Sequence, residues 1–228
     1  MDKVLTAFSS ALEKPMKIAF GLVAAAALSA CGSAPVETTR NAPATLTNGQ
    51  LVAGPAVSSF DIQSVVVTVP RSLKVSEKNR YYPGGDIVWR EDAFGDRHAQ
   101  VEAILQSGLE LGAASITPGA VPVDVHVELT RFHALTQKAR ATVGGVHDIE
   151  FLMSLRDPVT GKAFGPTKLV KADLKAFGGR KAIEAEMRGH TQKVRITNHL
   201  AKVLRAEMTT PEGFVAQNLG IMGAINEL

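Results

Sequence analysis

The segment 121–130 constrains the fold of this 228-residue chain more than any other. Apolar and polar residues (or proline) alternate along it. The apolar set is Val121, Val123, Val125, Val127 and Leu129, and the other set is Pro122, Asp124, His126, Glu128 and Thr130. A period of two predicts a β-strand with one buried face and one polar face. This pattern is typical of an antiparallel sheet that is covered on one side only.

Further strands are predicted on both sides of this segment. Their ranges are 62–69, a short candidate over 86–90, 148–155 and 167–174. The first is β-branched almost throughout and ends at Pro70. Gly144-Gly145 interrupts the first half of the long strand that includes 148–155, which is typical of a bulge or sharp bend. Residues 157–161 are turn formers, so the last two strands are predicted to form a hairpin.

Two segments have helical periodicity. Asp96 is a predicted N-cap, and the apolar stripe after it is Val101, Ile104, Leu105 and Leu109, ending near residues 112–115. A longer helix is predicted over 180–208, and Pro211 stops it. Its predicted stripe is Ile183, Met187, Val194, Ala201, Leu204 and Met208, with Leu200 and Val203 beside it. Gly178-Gly179 before this helix either turns the chain or exposes N–H groups that hold an anion.

The fold prediction follows from the matching apolar faces. Both helices have one apolar stripe and the strands have one apolar face, so the helices should pack on a single side of the sheet. We predict an α+β domain over residues 59–210, with an antiparallel sheet of four to five strands and two helices packed on one face. Residues 211–228 are expected to form a loosely ordered tail.

Neither a metal centre nor an active site is predicted. His126 and His133 are seven residues apart, which on a regular strand turns them to opposite faces, whereas zinc needs three or four converging ligands. The sequence has no Gly-x-Ser-x-Gly motif. We therefore expect a protein that is not an enzyme and has no catalytic residues, metal site or cofactor.

The charge balance excludes a nucleic-acid partner. The chain has 25 basic and 22 acidic residues, and without the three lysines and two acids of residues 1–30 the net charge is +2. Nucleic-acid-binding domains instead carry a clear basic excess.

Aromatic residues are concentrated around the short strand candidate. This region contains both tyrosines of the chain, Tyr81 and Tyr82, and its only tryptophan, Trp89. One interpretation is that these rings cover one end of the core. The other is a partner-binding surface made of Tyr81, Tyr82, Trp89 and Arg90, because aromatic residues and arginine are enriched in interface hot spots.

The first thirty residues have the order of a secretory signal. Lys14 and Lys17 precede an apolar run over 18–27, and Leu28-Ser29-Ala30 leads to Cys31, the only cysteine of the chain. The run is shorter than the roughly 20 residues that span a bilayer. The segment resembles a bacterial lipoprotein signal, which implies cleavage before Cys31 and acylation of that residue. Residues 1–15 are unusual for a signal, which suggests a wrongly assigned start.

The segment after the signal is predicted to be a tether. Residues 31–58 are rich in Ala, Pro, Thr and Asn and lack strand or helix periodicity. In the lipoproteins that this signal resembles, an aspartate directly after the cysteine keeps the protein at the inner membrane. This chain has Gly32 at that position. We therefore expect a membrane lipoprotein that faces the periplasm, with the outer membrane favoured over the inner.

Five short motifs carry a wider resemblance. They are the segments 67–70, 87–90, 122–125, 130–133 and 155–161, which read Val-Thr-Val-Pro, Ile-Val-Trp-Arg, Pro-Val-Asp-Val, Thr-Arg-Phe-His and Leu-Arg-Asp-Pro-Val-Thr-Gly. Over residues 60–208 the chain resembles a family of uncharacterised proteobacterial lipoproteins. In outline it is also similar to the auxiliary lipoproteins of ABC-type lipid transport systems. That similarity implies a periplasmic, tethered, non-catalytic partner of a transport machine.

These observations lead to one expected function and two alternatives. The expected function is a lipid-anchored accessory lipoprotein that contacts the membrane through Cys31 and binds another envelope component, with an envelope protein as the expected partner. The alternatives are an envelope hydrolase and a purely structural envelope lipoprotein.

Overall fold

The computed structural model describes residues 60–217 and 219; the predicted signal peptide, the tether with Cys31 and most of the predicted tail lie outside these residues. Six strands and four helices lie within the described part. The strands are β1 (Phe60–Thr68), β2 (Ile87–Val88), β3 (Val121–His133), β4 (Gly145–Arg156), β5 (Lys168–Lys171) and β6 (Leu174–Ala176). The helices are α1 (Arg97–Ala114), α2 (Gln137–Ala141), α3 (Gly179–Met187) and α4 (Gln192–Thr209).

Strand β3 is central to the six-stranded sheet. Strands β1 and β4 flank it, β2 pairs with its end, and β5 and β6 pair with β4. The pairs of β4 are antiparallel, but β1 and β2 run parallel to β3. The α+β class is confirmed. The sheet is mostly antiparallel, as predicted, but it has six strands instead of four to five and includes parallel pairs. β1 and β3 are parallel because α1 carries the chain back along the sheet between them.

The predicted returning strand over 167–174 is two short strands. The Ala172 N–H still donates to the Ile149 carbonyl at 2.7 Å. The Ile149 N–H, however, donates to the carboxylate of Asp173 at 3.3 Å. The side chain of Asp173 therefore takes the place of a backbone acceptor, and the ladder is interrupted between β5 and β6.

Helices α1 and α4 share one core with the inner face of the sheet. Every residue of the predicted α1 stripe is buried, and Asp96 caps this helix by accepting from the N–H groups of His98 and Ala99. Most of the apolar face predicted for β3 is buried too: Val123, Val125, Val127 and Leu129 are at most 2% exposed, whereas Val121 at the start of the strand is only partly buried. None of the helices in the described residues is long and apolar enough to cross a membrane.

Two glycines of α1 set its contact with α4. A Cβ added at Gly112 would lie 2.7 Å from the carbonyl oxygen of Ala201, and one added at Gly108 would lie 2.8 Å from Leu200 Cβ. Because both distances are below van der Waals contact, the two helices approach as closely as they do only with glycine at these positions.

The long helix predicted over 180–208 is two helices. Gly189 adopts a φ of +78° and ends α3. The N–H groups of Gly189 and His190 donate to the carbonyls of Glu186 and Ala185, which is the Schellman arrangement of a helix C-terminus. Thr191 then caps α4.

This break also changes which residues face the core. Ile183 and Met187 of the predicted stripe are 56% and 81% exposed. The buried apolar residues of α4 are Ile196, Leu200, Val203 and Leu204. Leu204 of the predicted stripe and the two residues predicted beside it, Leu200 and Val203, are buried in the core. The rest of the stripe is not, because a continuous helical period does not hold across Gly189.

Residues after α4 contact the domain again. Phe214 is partly buried against the core, and its ring lies edge-on to His199 with centroids 5.5 Å apart. The N–H of Phe214 donates to the carboxylate of Glu207 at 3.1 Å. The first residues of the predicted tail are therefore held by α4.

Candidate functional site

Tyr81 and Tyr82 lie at the surface, in a loop that is held at several points. Their exposed fractions are 44% and 66%. The carbonyl of Arg80 accepts a hydrogen bond from Thr136 at 2.8 Å, and the side chain of Asn79 accepts one from the Lys138 N–H at 2.8 Å. These bonds tie the loop to α2, so the two rings are presented in a defined position.

The side chain of Tyr81 has two polar neighbours. Its hydroxyl accepts a hydrogen bond from Thr142 at 3.3 Å, and the Lys138 ammonium lies 4.8 Å from the ring centroid. This is a cation–π geometry on an exposed ring. The combination of aromatic rings and a cation at the surface is chemically suited to contact with a protein partner.

Trp89 is placed differently from the two tyrosines. It is fully buried, its indole N–H donates to Asp92 at 2.8 Å, and its ring packs edge-on against Phe132 at 6.0 Å. The core-covering interpretation therefore holds for this residue. Because its side chain is fully buried, Trp89 contributes no accessible area to the candidate contact surface.

Arg90 belongs to a network of charged side chains beside the loop. It pairs with Glu77, and its Nε donates to Gln137 at 2.5 Å. Glu77 also accepts from Arg97 at 2.6 Å, and this bond is the main reason why the pKa of Glu77 is lowered. About a fifth of the Arg90 side chain is exposed. Arg90 thus holds the loop in place and presents only a small area to a partner.

The outer face of the sheet lies next to this loop. The polar residues predicted for that face are on it: Asp124, His126, Glu128, Asp148, Glu150 and Ser154, in cross-strand pairs with one another or with neighbouring polar residues. Arg131 and Asp148 form an ion pair there, and the His133 ring is hydrogen-bonded to the Gly85 carbonyl at 2.8 Å. This last bond joins the face to the loop of Tyr81 and Tyr82.

The two histidines of β3 face the same way, contrary to the sequence prediction. The register between β3 and β4 shifts by one residue between Leu129 and Arg131. This bulge adds one residue to the spacing, so His126 and His133 share the outer face. No group of three or more His, Cys, Asp or Glu side chains that could hold a metal ion occurs in residues 60–217 and 219.

A further histidine lies on the opposite face of β4. His147 is fully buried on the core side, and neither ring nitrogen has a hydrogen-bond partner. Burial, with smaller effects of Arg195 and His199, lowers its pKa to about 3. Nearby, burial and Asp148 raise the pKa of Asp173 to about 6.

The described domain corresponds closely to one family model. A model for a family of unknown function, DUF6778, matches residues 60–224. The chain belongs to DUF6778. The prediction of an uncharacterised family is thereby confirmed, and the similarity to lipid-transport auxiliary lipoproteins stays a prediction. The match starts at the first residue of β1 and continues past α4.

Three solved structures show distant similarity to this chain. A Caulobacter crescentus CB15 protein described as a "putative lipoprotein" is 14% identical with a TM-score of 0.31, covering 52% of this chain and 84% of its own. A Xanthomonas campestris protein of family DUF330 is 12% identical with a TM-score of 0.37, and the match covers 67% of this chain and 84% of that protein. A chain of the PelC dodecamer from Paraburkholderia phytofirmans is 15% identical with a TM-score of 0.30, and the match covers 67% of this chain and 91% of that one. No protein of curated function matches the sequence.

Proposed function

We propose that this DUF6778 chain is a lipid-anchored lipoprotein of the cell envelope that binds another envelope component and performs no catalysis. The observation that carries the proposal is the Leu28-Ser29-Ala30-Cys31 sequence after a basic segment and an apolar run. Acylated Cys31 holds the chain on the periplasmic side of a membrane, with the outer membrane favoured because Gly32 follows the cysteine. The proposed role is that of an accessory protein in a transport system.

The proposed contact surface is the loop of Tyr81 and Tyr82 with Arg90 at its base. Three observations support it: the rings are exposed, the loop is hydrogen-bonded to α2, and it adjoins the polar outer face of the sheet. A held loop loses little conformational freedom on binding, which favours affinity.

The anchor is tested by replacing Cys31. We expect the Cys31→Ala chain to leave the membrane fraction or to remain uncleaved, because each buried CH₂ of an acyl chain contributes about 0.8 kcal/mol to membrane binding. The measurement is membrane fractionation, with mass spectrometry of the N-terminal peptide. A Ser33→Ala chain is the matched control and should fractionate like the wild type. Unchanged cleavage and membrane association of the Cys31→Ala chain would rule out the anchor.

The contact surface is tested by position-specific cross-linking. A photoreactive residue at Tyr82 is expected to give a cross-link to one envelope protein, and the Tyr81→Ala/Tyr82→Ala double substitution should abolish recovery of that partner. Because both rings are exposed, we expect each substitution to change the free energy of unfolding by only about 0.5 kcal/mol.

The matched control for cross-linking is Val159, which is 91% exposed in the loop after β4. The same photoreactive residue at Val159 should not give this cross-link. Equal cross-links from both positions, or a melting temperature lowered by many degrees in the double variant, would contradict the proposed surface.

A further inference from the structure

The β4–β5 loop, residues 157–167, lies at the end of the sheet where the described chain begins. β1 and β3 begin with paired residues, and β4 ends beside the start of β3. The rings of Phe60, the first residue of β1, and Phe164, in the loop, lie 5.9 Å apart. The loop is therefore next to the residue through which the predicted tether joins the domain.

Hydrogen bonds within the β4–β5 loop fix its conformation. The carboxylate of Asp157 accepts from the N–H groups of Val159 and Thr160 at 3.0 and 2.7 Å, and from the Thr160 hydroxyl at 2.9 Å. The N–H of Phe164 donates to the Leu155 carbonyl at 2.9 Å. In this conformation the side chains of Val159 and Phe164 are 91% and 47% exposed. The loop thus presents two large apolar side chains to its surroundings.

The charged residues of the loop and its two flanking positions are mostly basic. Residues 156–168 contain Arg156, Lys162 and Lys168 but only one acid, Asp157. Arg156 and Lys162 are exposed, whereas Lys168 is paired with Glu207 at 2.7 Å. Apolar side chains beside exposed basic ones favour contact with an anionic bilayer, because burial of apolar area and attraction to the headgroups add together.

We propose that the β4–β5 loop is the part of the domain that contacts the membrane. Val159 and Phe164 lie at the boundary between headgroups and acyl chains, and Arg156 and Lys162 contact anionic headgroups. This inference rests on the proposed anchor, because acylated Cys31 would attach the domain to the bilayer through the end of the sheet that carries the loop.

The proposal also assigns an orientation to the domain. β3 has 13 residues, so the two ends of the sheet are about 40 Å apart. His133, at the far end of β3, is hydrogen-bonded to the Gly85 carbonyl, and the loop of Tyr81 and Tyr82 lies at that end. With the β4–β5 loop on the membrane, the proposed contact surface faces the periplasm and is accessible to a partner.

The first test measures the depth of a fluorescent label at position 159. The acylated full chain with Val159→Cys is labelled with an environment-sensitive fluorophore; acylation of Cys31 leaves the introduced cysteine as the single free thiol. The chain is reconstituted into vesicles of phosphatidylethanolamine and phosphatidylglycerol. Lipids with brominated acyl chains should quench this label at least about twofold, because the loop reaches the acyl boundary.

The matched control for this label is Met187→Cys. Met187 is also apolar, 81% exposed and followed by a basic residue, Arg188. It lies at the other end of the sheet, beside Glu186, which pairs with Arg140 of α2. The label there should stay unquenched. Quenching at Met187 equal to that at Val159 overturns the proposal.

Flotation of the vesicles separates this inference from the proposed anchor. A chain that does not float with the vesicles overturns the anchor and the inference with it. A chain that floats while the label at position 159 stays unquenched overturns the inference alone and leaves the anchor standing.

The second test changes the charge of the loop. In the chain labelled at position 159, Lys162→Glu should reduce the quenching in anionic vesicles by about half or more, because the new carboxylate is repelled by phosphatidylglycerol. Lys162 is exposed, so we expect the substitution to leave the fold unchanged. In vesicles of phosphatidylcholine alone, Lys162→Glu should quench like its parent. Equal quenching of the two chains in anionic vesicles contradicts the proposed contact with headgroups.

Discussion

Replacing Gly178 with alanine is expected to lower the free energy of unfolding by about 3 kcal/mol or more. The added Cβ would lie 2.5 Å from Gly144 Cα and from the carbonyl carbon of Val143, and these are backbone atoms that cannot rotate away. The φ of Gly178 is −129°, which alanine adopts freely, so the cost is steric. For a domain of this size the melting temperature should fall by about 6–12 °C.

The measurement is urea unfolding of the variant beside a matched glycine control. Gly165 is also a loop glycine, but a Cβ added there meets nothing within 4 Å, and its φ is not in the left-handed region. Gly165→Ala should therefore stay within about 0.5 kcal/mol of the wild type. Equal stability of the Gly178 and Gly165 variants would mean that the backbones of residues 144 and 178 are not in contact in solution.

Acid is expected to unfold the domain largely through His147. Its pKa is lowered from 6.5 to about 3 by burial, so between these pH values the unfolded chain binds a proton that the folded chain does not. This proton reduces the free energy of unfolding by about 1.4 kcal/mol per pH unit, or about 3 kcal/mol at pH 4. Burial also lowers the pKa values of His133 and His199, which act in the same direction.

Asp173 opposes this trend over part of the range. Burial and Asp148 raise its pKa from 3.8 to about 6, so the folded chain gains stability from Asp173 as the pH falls through this window. Asp173→Asn should therefore make the loss of stability on acidification steeper. His147→Leu should make it shallower, because leucine keeps the apolar contacts and cannot be protonated.

Unfolding curves of the three chains between pH 7 and pH 4 separate these effects. The stability of His147→Leu relative to the wild type should rise by about 3 kcal/mol over this range. Parallel pH profiles for His147→Leu and the wild type would show that the ring of His147 reaches solvent in the folded chain.

The sequence predicts those parts of the fold that depend on local periodicity. The strand over 121–130, the stripe of α1 and the Asp96 cap are all present in the structure. The parallel pairing of β1 with β3 cannot be predicted in this way, because the apolar period of a strand shows which of its faces is buried and not which strand lies beside it. Gly178-Gly179 reads locally as a turn, whereas the contact that requires Gly178 is with a residue 34 positions earlier.

The candidate sites were predictable to different extents. Composition alone does not show that Tyr81 and Tyr82 are exposed while Trp89 is buried, since all three are amphipathic aromatic residues. The start of α4 at Thr191 is not visible from the apolar stripe alone, because that stripe continues across Gly189. Gly189 was the one local signal that could have revealed this start, because glycine often ends a helix.

The parallel pairing of β1 with β3 has a consequence for the order of folding. Residues paired between β1 and β3 are about sixty positions apart, whereas His133 and Asp148 in β3 and β4 are only fifteen apart. Loop closure costs more entropy for the longer separation, so the β3–β4 hairpin should form first and β1 should join late. Until then the Val65-Val66-Val67 run stays unpaired, although it is the first strand of the domain to be synthesised. The domain therefore exposes an aggregation-prone strand until β3 and β4 have formed.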